Sequence, residues 1–470
     1  MASTTTAPAQ GHTMSREERK VLAGTLVGTT IEWYDFFIYA QAAAFILAAH
    51  FFNPLTAENP QFGQIISWAT LGISFLFRPL GAIVAGHIGD RFGRKVTLVM
   101  TLFGMGAATT LIGLLPTYSQ IGMAAPILLI LLRILQGFSA GGEWGGAALM
   151  SVEHAPVNKR GLFGAYPQIG VPIGMLMATL FMFGLSTALT PEQFESWGWR
   201  VPFLFSIVLI FVGWLIRRSV DESPVFEEIS ENKAQTAVPI LVLFKKHWPL
   251  VLIAALVFAG NNAAGYMTTG GFFQAYTTDP EGPVGLERTD VLIAVAFGAA
   301  VWLVMTLVAG FLADKIGRKR TYQLGFIILA ASLFPVFALV NSGSLVLLYA
   351  AFGLFSIGLG LTYGPQAALY SELFPASVRF SGVSISYAIG AIVGGAFAPT
   401  IAQALVQATG GTTAVAIYLL IVVAVSFTAV SLIRDRSGID LSFRNQAEQE
   451  VGALVFDKRR AEPVKATQKV

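Results

Sequence analysis

The chain has 470 residues, 54% of them hydrophobic and only 12% charged, with a mean hydropathy of +0.66 and a formal net charge of +3. Soluble domains carry roughly 25% charged residues, so this composition excludes a soluble globular protein, and the small net charge gives no basis for a nucleic-acid partner. Cysteine is absent, which excludes a disulfide framework, thiol chemistry and a cysteine metal site.

The first twenty residues are rich in Ser, Thr and Ala and then turn basic at Arg16, Arg19 and Lys20. No short apolar core with a cleavage site precedes the first long apolar run, so no cleaved signal peptide is expected. Apolar runs long enough to cross a bilayer, about 20 residues each, fall at 22–48, 62–86, 96–115, 124–150, 161–186 and 199–216. They resume at 249–276, 290–313, 321–341, 345–371, 380–407 and 413–433. Backbone groups in lipid must pair internally, so these runs read as helices. The fold class is therefore an all-α membrane protein of about twelve transmembrane helices in two pseudo-repeated six-helix halves. The expected boundaries are an N-terminal tail 1–20, a bundle 21–216, a central loop 217–248, a second bundle 249–434 and a C-terminal tail 435–470. The tail reads as disordered apart from a short amphipathic stretch around Leu441–Val455. Glycine is abundant, 48 residues, which suits close helix packing in lipid.

With both termini on the cytoplasmic side, nearly all of the 30 Lys and Arg residues fall in cytoplasmic segments. The exceptions are Arg78 and Arg133 within helices, and Arg200 and Arg288 on the opposite side. Such an asymmetry fixes orientation by the positive-inside rule.

The duplication is explicit. Gly86-His-Ile-Gly-Asp90-Arg91-Phe-Gly93-Arg94-Lys95 returns as Gly310-Phe-Leu-Ala-Asp314-Lys315-Ile-Gly317-Arg318-Lys319, each copy between two apolar runs. Glu153-His-Ala-Pro156 with Arg160 returns as Glu372-Leu-Phe-Pro375 with Arg379. Two membrane-embedded halves built alike are what a rocking transporter needs. The glycines permit a tight turn, and Asp90 and Asp314 are placed to pair at a neighbouring helix N-terminus. Glu153 with Arg160, and Glu372 with Arg379, are expected to form breakable inter-helix pairs. Together these residues make a candidate gating motif in which the first copy carries the larger effect.

Charges inside the membrane are functional suspects, because leaving them in lipid is costly. Glu32 and Asp35 in the first run, Arg78 in the second, and Arg133 and Glu143 in the fourth all lie in the first half. The second half offers neutral polar groups instead: Asn261, Asn262, Tyr266, Tyr363, Gln366 and Tyr387. Three acids face two arginines, so one acid lacks a cationic partner. Burial favours the neutral form of such a carboxyl and a nearby guanidinium favours the charged one, which poises it to take up and release a proton. Asp35, Glu32 and Glu143 are the candidate proton-coupling residues. Arg133 keeps its proton and suits an anchor for a substrate carboxylate; Tyr34, Gln136, Trp144, Asn262, Tyr266 and Tyr363 are the further substrate-binding candidates.

These residues resemble the major facilitator superfamily over essentially the whole chain. Gly28-Thr-Thr-Ile-Glu32-Trp-Tyr-Asp35-Phe-Phe, Arg133-Ile-Leu-Gln136-Gly137 and Gly141-Gly142-Glu143-Trp144-Gly145-Gly146 look like its metabolite:proton symporter family. Glu195-Ser-Trp197-Gly-Trp199-Arg200-Val-Pro202-Phe-Leu-Phe is similar to the shikimate permease branch. The resemblance implies proton-driven uptake of a small, usually carboxylated metabolite across a bacterial inner membrane, by a monomer whose partners are substrate, protons and lipid. Members of the family also carry betaine and proline as osmoprotectants; those that sense osmolarity bear a long coiled-coil extension, which 437–470 lacks.

Other classes fit less well. The five His residues show no metal-ligand spacing, no strand-to-helix turn offers a nucleophile elbow, and no Gly-x-x-x-x-Gly-Lys-Ser/Thr phosphate loop occurs. An enzyme, a resident metal or cofactor, and ATP-driven transport are therefore not expected. Proton-antiport drug efflux shares the fold but favours a wide apolar cavity over an arginine set among acids.

Overall fold

The computed structural model describes residues 14–52, 60–231, 239–269 and 271–458. The N-terminal tail before residue 14, part of the central loop and the end of the C-terminal tail lie outside the described residues. Among the described residues eleven helices are long and apolar enough to cross a membrane, or twelve when the bent first pair counts as one span.

In the first half, α1 is Arg16–Ala42, bent by 69° from Ile46–Phe52; α2 is Pro60–Phe92 and α3 Arg94–Leu114. They are followed by α4 (Ala124–Glu153), α5 (Val157–Ala188) and α6 (Gly198–Arg218). In the second half, α7 is Trp248–Thr269, α8 Arg288–Ile316, α9 Arg318–Val340 and α10 Leu345–Leu373. The last two are α11 (Ala376–Thr409) and α12 (Thr413–Ser431). Within the halves α1 packs on α5 as α7 packs on α11, α2 on α4 as α8 on α10, and α3 on α6 as α9 on α12. Between the halves, α5 packs on α8 as α2 packs on α11. The duplicated sequence thus folds into a duplicated packing scheme.

Helices approach closely where glycines remove the Cβ. A Cβ on Gly137 would strike the Ser74 carbonyl, and one on Gly81 the Phe138 carbonyl, so α2 and α4 touch backbone to backbone. Between the halves, Gly161 of α5 faces Gly310 of α8, each lying against the other's carbonyl. Large apolar side chains such as Met100, Leu131, Leu180, Ile207, Phe211, Ile327 and Ile421 point outward, which is the arrangement of a lipid-facing belt.

Two sequence expectations are corrected here. The central loop begins too early at 217, because α6 runs to Arg218 and Arg217 is buried. The apolar run stops at Ile216, so in the sequence a buried arginine one residue later reads as a loop cation. The C-terminal tail is expected to be disordered outside the stretch around Leu441–Val455, but Asp435 and Ile439, before that stretch, already bond to Lys319 and Arg160 on the face that carries the start of α1 and the central loop (the terminal face below). Leu441, Ala453 and Leu454 are buried, and Ile433 bridges Leu454.

Candidate functional site

Glu32, Asp35, Arg78, Arg133 and Glu143 are all buried, and Arg217 joins them. Glu143 takes the Arg217 guanidinium and accepts from the Thr101 hydroxyl at 2.5 Å. Room for that guanidinium exists because Gly28 has no Cβ. Glu32 lies 3.5 Å from Arg78, whose guanidinium rests 4.6 Å from the centre of the Phe75 ring. The count is therefore three acids and three arginines rather than three and two. Two pairs are satisfied, and Asp35 and Arg133 remain.

Asp35 accepts from Ser206 of α6 at 2.5 Å, and its Oδ2 has no hydrogen-bond partner. Arg133 donates through Nη1 to Gln136 and through Nε to the Thr70 carbonyl at 3.3 Å. Its plane lies 3.8 Å from the centre of Tyr39, and Nη2 is unpartnered. Neither takes part in an ion pair among the described residues. The structure thus holds an unpaired buried anion site and an unpaired buried cation site on adjoining helices.

A narrow cavity between the halves is lined by Trp33, Phe258, Asn261, Asn262, Tyr266, Trp302 and Tyr363. It carries polar atoms without partners: Trp33 Nε1, Trp302 Nε1 and the hydroxyls of Tyr266 and Tyr363. The Tyr387 hydroxyl, whose ring stacks on Phe258 at 4.4 Å, also lacks a hydrogen-bond partner. Buried polar groups left this way are costly unless a ligand or water satisfies them. Aromatic pairs that join the two halves lie on either side of the cavity. Trp144 of the first half stacks on Tyr387 of the second at 4.0 Å, toward the terminal face. Toward the far face, Tyr266 packs edge-on against Phe36 and Phe75 at 5.5 and 5.3 Å. Arg133 lies beyond this second layer, 5.9 Å from the Phe36 ring.

Sequence candidates separate accordingly. Tyr266, Tyr363 and Asn262 line the cavity, although the Asn262 amide already donates to the Ala391 carbonyl at 3.1 Å. Trp144 does not line it: its ring stacks on Tyr387 and its Nε1 donates to Gln168 at 2.6 Å. Tyr34 faces away: its hydroxyl donates to the Pro202 carbonyl at 2.9 Å and its ring packs against Phe181 and Phe205. Gln136 does not line the cavity but serves Arg133. Sequence reasoning missed Arg217, Ser206, Thr109 and Tyr39. Only Arg217 carried a signal, as a cation at an apolar boundary; the others are ordinary helix residues.

At the terminal face the gating motif is assembled across the halves. Asp90 accepts from the Ser381 hydroxyl at 2.7 Å and its N–H at 3.3 Å, at the start of α11. Asp314 accepts the N–H groups of Gly161 and Leu162 at 2.7 and 2.8 Å, at the start of α5. The acid–arginine pairing expected within each half is exchanged: Arg379 meets Glu153 at 3.1 Å, and Arg160 meets Glu372 at 3.5 Å. Arg94 adds to Glu153 at 3.8 Å and Arg318 to Glu372 at 3.1 Å. Helix α5 follows α4 through a tight corner, so Arg160 is aimed across the seam rather than back at Glu153.

Gly93 and Gly317 have φ of +110° and +95°, a backbone that glycine adopts without strain. A carboxylate fills the space beside each: Glu222 takes the N–H groups of Arg94 and Lys95, and Asp435 that of Lys319. Arg91 stays exposed beside Phe92, and Gly86 lies against Ser381. The tail spans the seam. The Ile439 carbonyl accepts from Arg160 at 2.6 Å, and the Leu441 carbonyl from Arg379 at 3.1 Å.

Arg217→Ala is expected to leave Glu143 buried and unpaired, costing about 3–5 kcal/mol. A clear fall in the thermal unfolding midpoint of purified protein would show it; an unchanged midpoint would mean that the pair contributes nothing.

A sequence profile of the Major Facilitator Superfamily matches residues 25–387 and 284–463. The chain is 42% identical to the inner membrane metabolite transport protein YhjE of Escherichia coli (strain K12) over 424 residues, covering 90% of this chain and 96% of that protein. It is 38% identical to the shikimate transporter of the same organism over 435 residues, 92% and 98% of the two chains. A putative proline/betaine transporter of Staphylococcus aureus (strain COL) is 34% identical over 422 residues, 89% of each. The fold is similar to that of the proton:xylose symporter XylE bound to 6-bromo-6-deoxy-D-glucose, with a TM-score of 0.75 at 15% identity, covering 90% of this chain and 98% of that one.

Proposed function

Because the chain belongs to the Major Facilitator Superfamily and is one of its multi-pass metabolite transporters, not an enzyme, we propose that it takes up a small carboxylated metabolite together with protons. Shikimate or a related organic acid is the substrate class; the relatives support a bacterial inner membrane, and the Lys and Arg distribution supports a cytoplasmic terminal face. The observation that carries this reading is the separated pair: among the described residues, Asp35 has no cation and Arg133 no carboxylate. Asp35 has the surroundings of a proton carrier, whereas a guanidinium with a free Nη2 suits a carboxylate ligand. Glu32 adjoins Trp33, which lines the cavity between the halves, so it is placed to sense whether the halves are together. Glu143, locked to Arg217, acts as a structural charge.

The aromatic layer of Phe36, Phe75 and Tyr266 separates Arg133 from the cavity. Because Tyr266 belongs to the other half, rocking parts that layer and lets substrate pass from the guanidinium to the unpartnered indole and phenol groups. Uptake of isotope-labelled acids into vesicles under an imposed inward proton gradient tests the reading. Concentration of shikimate or a related acid is expected, and gradient-driven extrusion of apolar cations would replace it with drug antiport. The aromatic lining supports a second reading, an osmoprotectant such as betaine, since aromatic faces bind quaternary ammonium groups; labelled betaine and proline in the same assay decide between them.

The terminal contacts join the two halves and must break when this face opens. A contact present in one state only shifts the equilibrium by its own energy, about 1–3 kcal/mol or roughly 5- to 150-fold in population. Asp314 caps its helix through two short backbone bonds, Asp90 through one hydroxyl and one longer bond. This geometry supports the opposite order to the expectation that the first copy matters more. Asp314→Asn is expected to open the terminal face at least as much as Asp90→Asn, read as a distance change between labels on the α2–α3 and α10–α11 corners. Normal distances with less inserted protein would instead make the motif a topology anchor.

A further inference from the structure

Helix α5 places Gln168 on the seam between the halves, fully buried. Its side chain is shared three ways. Oε1 accepts from the Trp144 indole N–H of α4 at 2.6 Å, and Nε2 donates to the Tyr363 carbonyl of α10 at 3.0 Å and to Gln366 Oε1 at 3.4 Å. The Trp144 ring lies on Tyr387 of α11 at 4.0 Å, and Tyr387 in turn lies on Phe258 of α7 at 4.4 Å. Resting on the reading of the central cavity as the substrate's path, we propose that Gln168 is the positioning residue of a gate between that cavity and the terminal face. It holds the Trp144 ring on Tyr387 and ties that ring to the helix end that carries Tyr363.

The partners dictate the residue type. An indole N–H can only donate and a backbone carbonyl can only accept. A side chain that joins them must offer one oxygen and one N–H, as the glutamine amide does, and the same constraint fixes which way the amide points. Tyr363 has a carbonyl to give because α10 is interrupted at Gly364 and Pro365, between Leu345–Tyr363 and Gln366–Leu373. The last carbonyls of a helical segment have no partner within it.

The duplication shows what the amide adds. Trp144 stands nine residues before Glu153, and Tyr363 nine before Glu372; Gln168 stands eight after Arg160, and Tyr387 eight after Arg379. Trp144 on Tyr387 and Tyr363 on Gln168 are therefore the same contact made twice, once in each direction across the seam. The first is a stack of rings and the second a hydrogen bond. Gln168 joins them, because its oxygen takes the indole of the first while its nitrogen makes the second. Breaking one loosens the other.

Tyr363 carries this arrangement to the cavity. Its ring lines the wall and its hydroxyl has no partner, while the carbonyl of the same residue holds Gln168. A ligand oxygen on that hydroxyl steadies the helix end on which Gln168 is anchored, so filling the cavity and closing the gate favour each other.

The test needs neither substrate nor a proton gradient. Spin labels on the α2–α3 and α10–α11 corners of the reconstituted protein report the ratio of open to closed terminal faces. Gln168→Met keeps the length of the side chain and removes its bonds, and is expected to raise that ratio about tenfold. Trp144→Phe keeps a ring on Tyr387 and removes only the N–H, so a rise of about threefold is expected. Added to Gln168→Met it should have no further effect, since the shared bond is already gone. Unchanged distances in folded Gln168→Met overturn the gate while the uptake reading stands. Additive effects of the two substitutions overturn the claim that Gln168 acts through Trp144. A glutamine that only supports the fold would lower the thermal unfolding midpoint and leave the distances alone, which also overturns the proposal. Should Gln168→Met not fold, Trp144→Phe alone decides, and an unchanged ratio there overturns the gate. Shifted distances in a protein that fails to concentrate acids keep the gate and remove the substrate reading.

Discussion

Asp35→Asn is expected to reduce gradient-driven accumulation to the equilibrium level while leaving substrate exchange across the membrane. Asparagine matches the carboxylate in shape and keeps an oxygen for the Ser206 hydroxyl, but it cannot ionise. No cation pairs with Asp35 among the described residues, so the substitution strands no buried countercharge and the fold should tolerate it. Glu32→Gln is a different experiment, because it leaves Arg78 without its carboxylate. Undiminished accumulation in Asp35→Asn would take Asp35 out of the mechanism.

The second large effect is at Arg133, where lysine cannot reproduce the planar guanidinium. Arginine here donates to Gln136 and the Thr70 carbonyl, lies over Tyr39 and keeps Nη2 free. An ammonium can neither stack in that way nor offer a carboxylate two parallel bonds while holding Gln136. Losing a hydrogen bond to a charged group costs about 1.5–3 kcal/mol, so Arg133→Lys should raise the KM for the acid at least tenfold. Normal transport of the acid by Arg133→Ala would place the anchor elsewhere and strengthen the case for a neutral or zwitterionic substrate.

Much of the architecture was legible in the sequence because lipid imposes it. Long apolar runs can only be helices, and the copied Asp90 and Asp314 motifs marked the two halves. Even the capping role of those aspartates followed from their position before a helix. What the sequence concealed was partnership. Arg217 sits one residue past an apolar run and looked like a loop cation, which made the acids appear to outnumber the arginines. The exchange of partners between Glu153, Arg160, Glu372 and Arg379 depends on how two homologous halves face each other, which neither half encodes alone. Gln136 beside Arg133 invited a ligand role, yet its bonds run inward to Thr109, a residue with no signal of its own. The tail is similar: its composition reads as solvent-exposed, but its backbone carbonyls meet two arginines on opposite sides of the seam.

The central claim is that substrate and proton cross together, and the most direct measurement is proton movement caused by substrate. Purified protein is reconstituted into lightly buffered vesicles with no imposed gradient, and a carboxylate that it transports is added outside. The external medium is expected to become alkaline as the acid enters with protons, and Asp35→Asn should abolish the signal. Substrate entry without any change in pH, or acidification of the medium, would contradict the account.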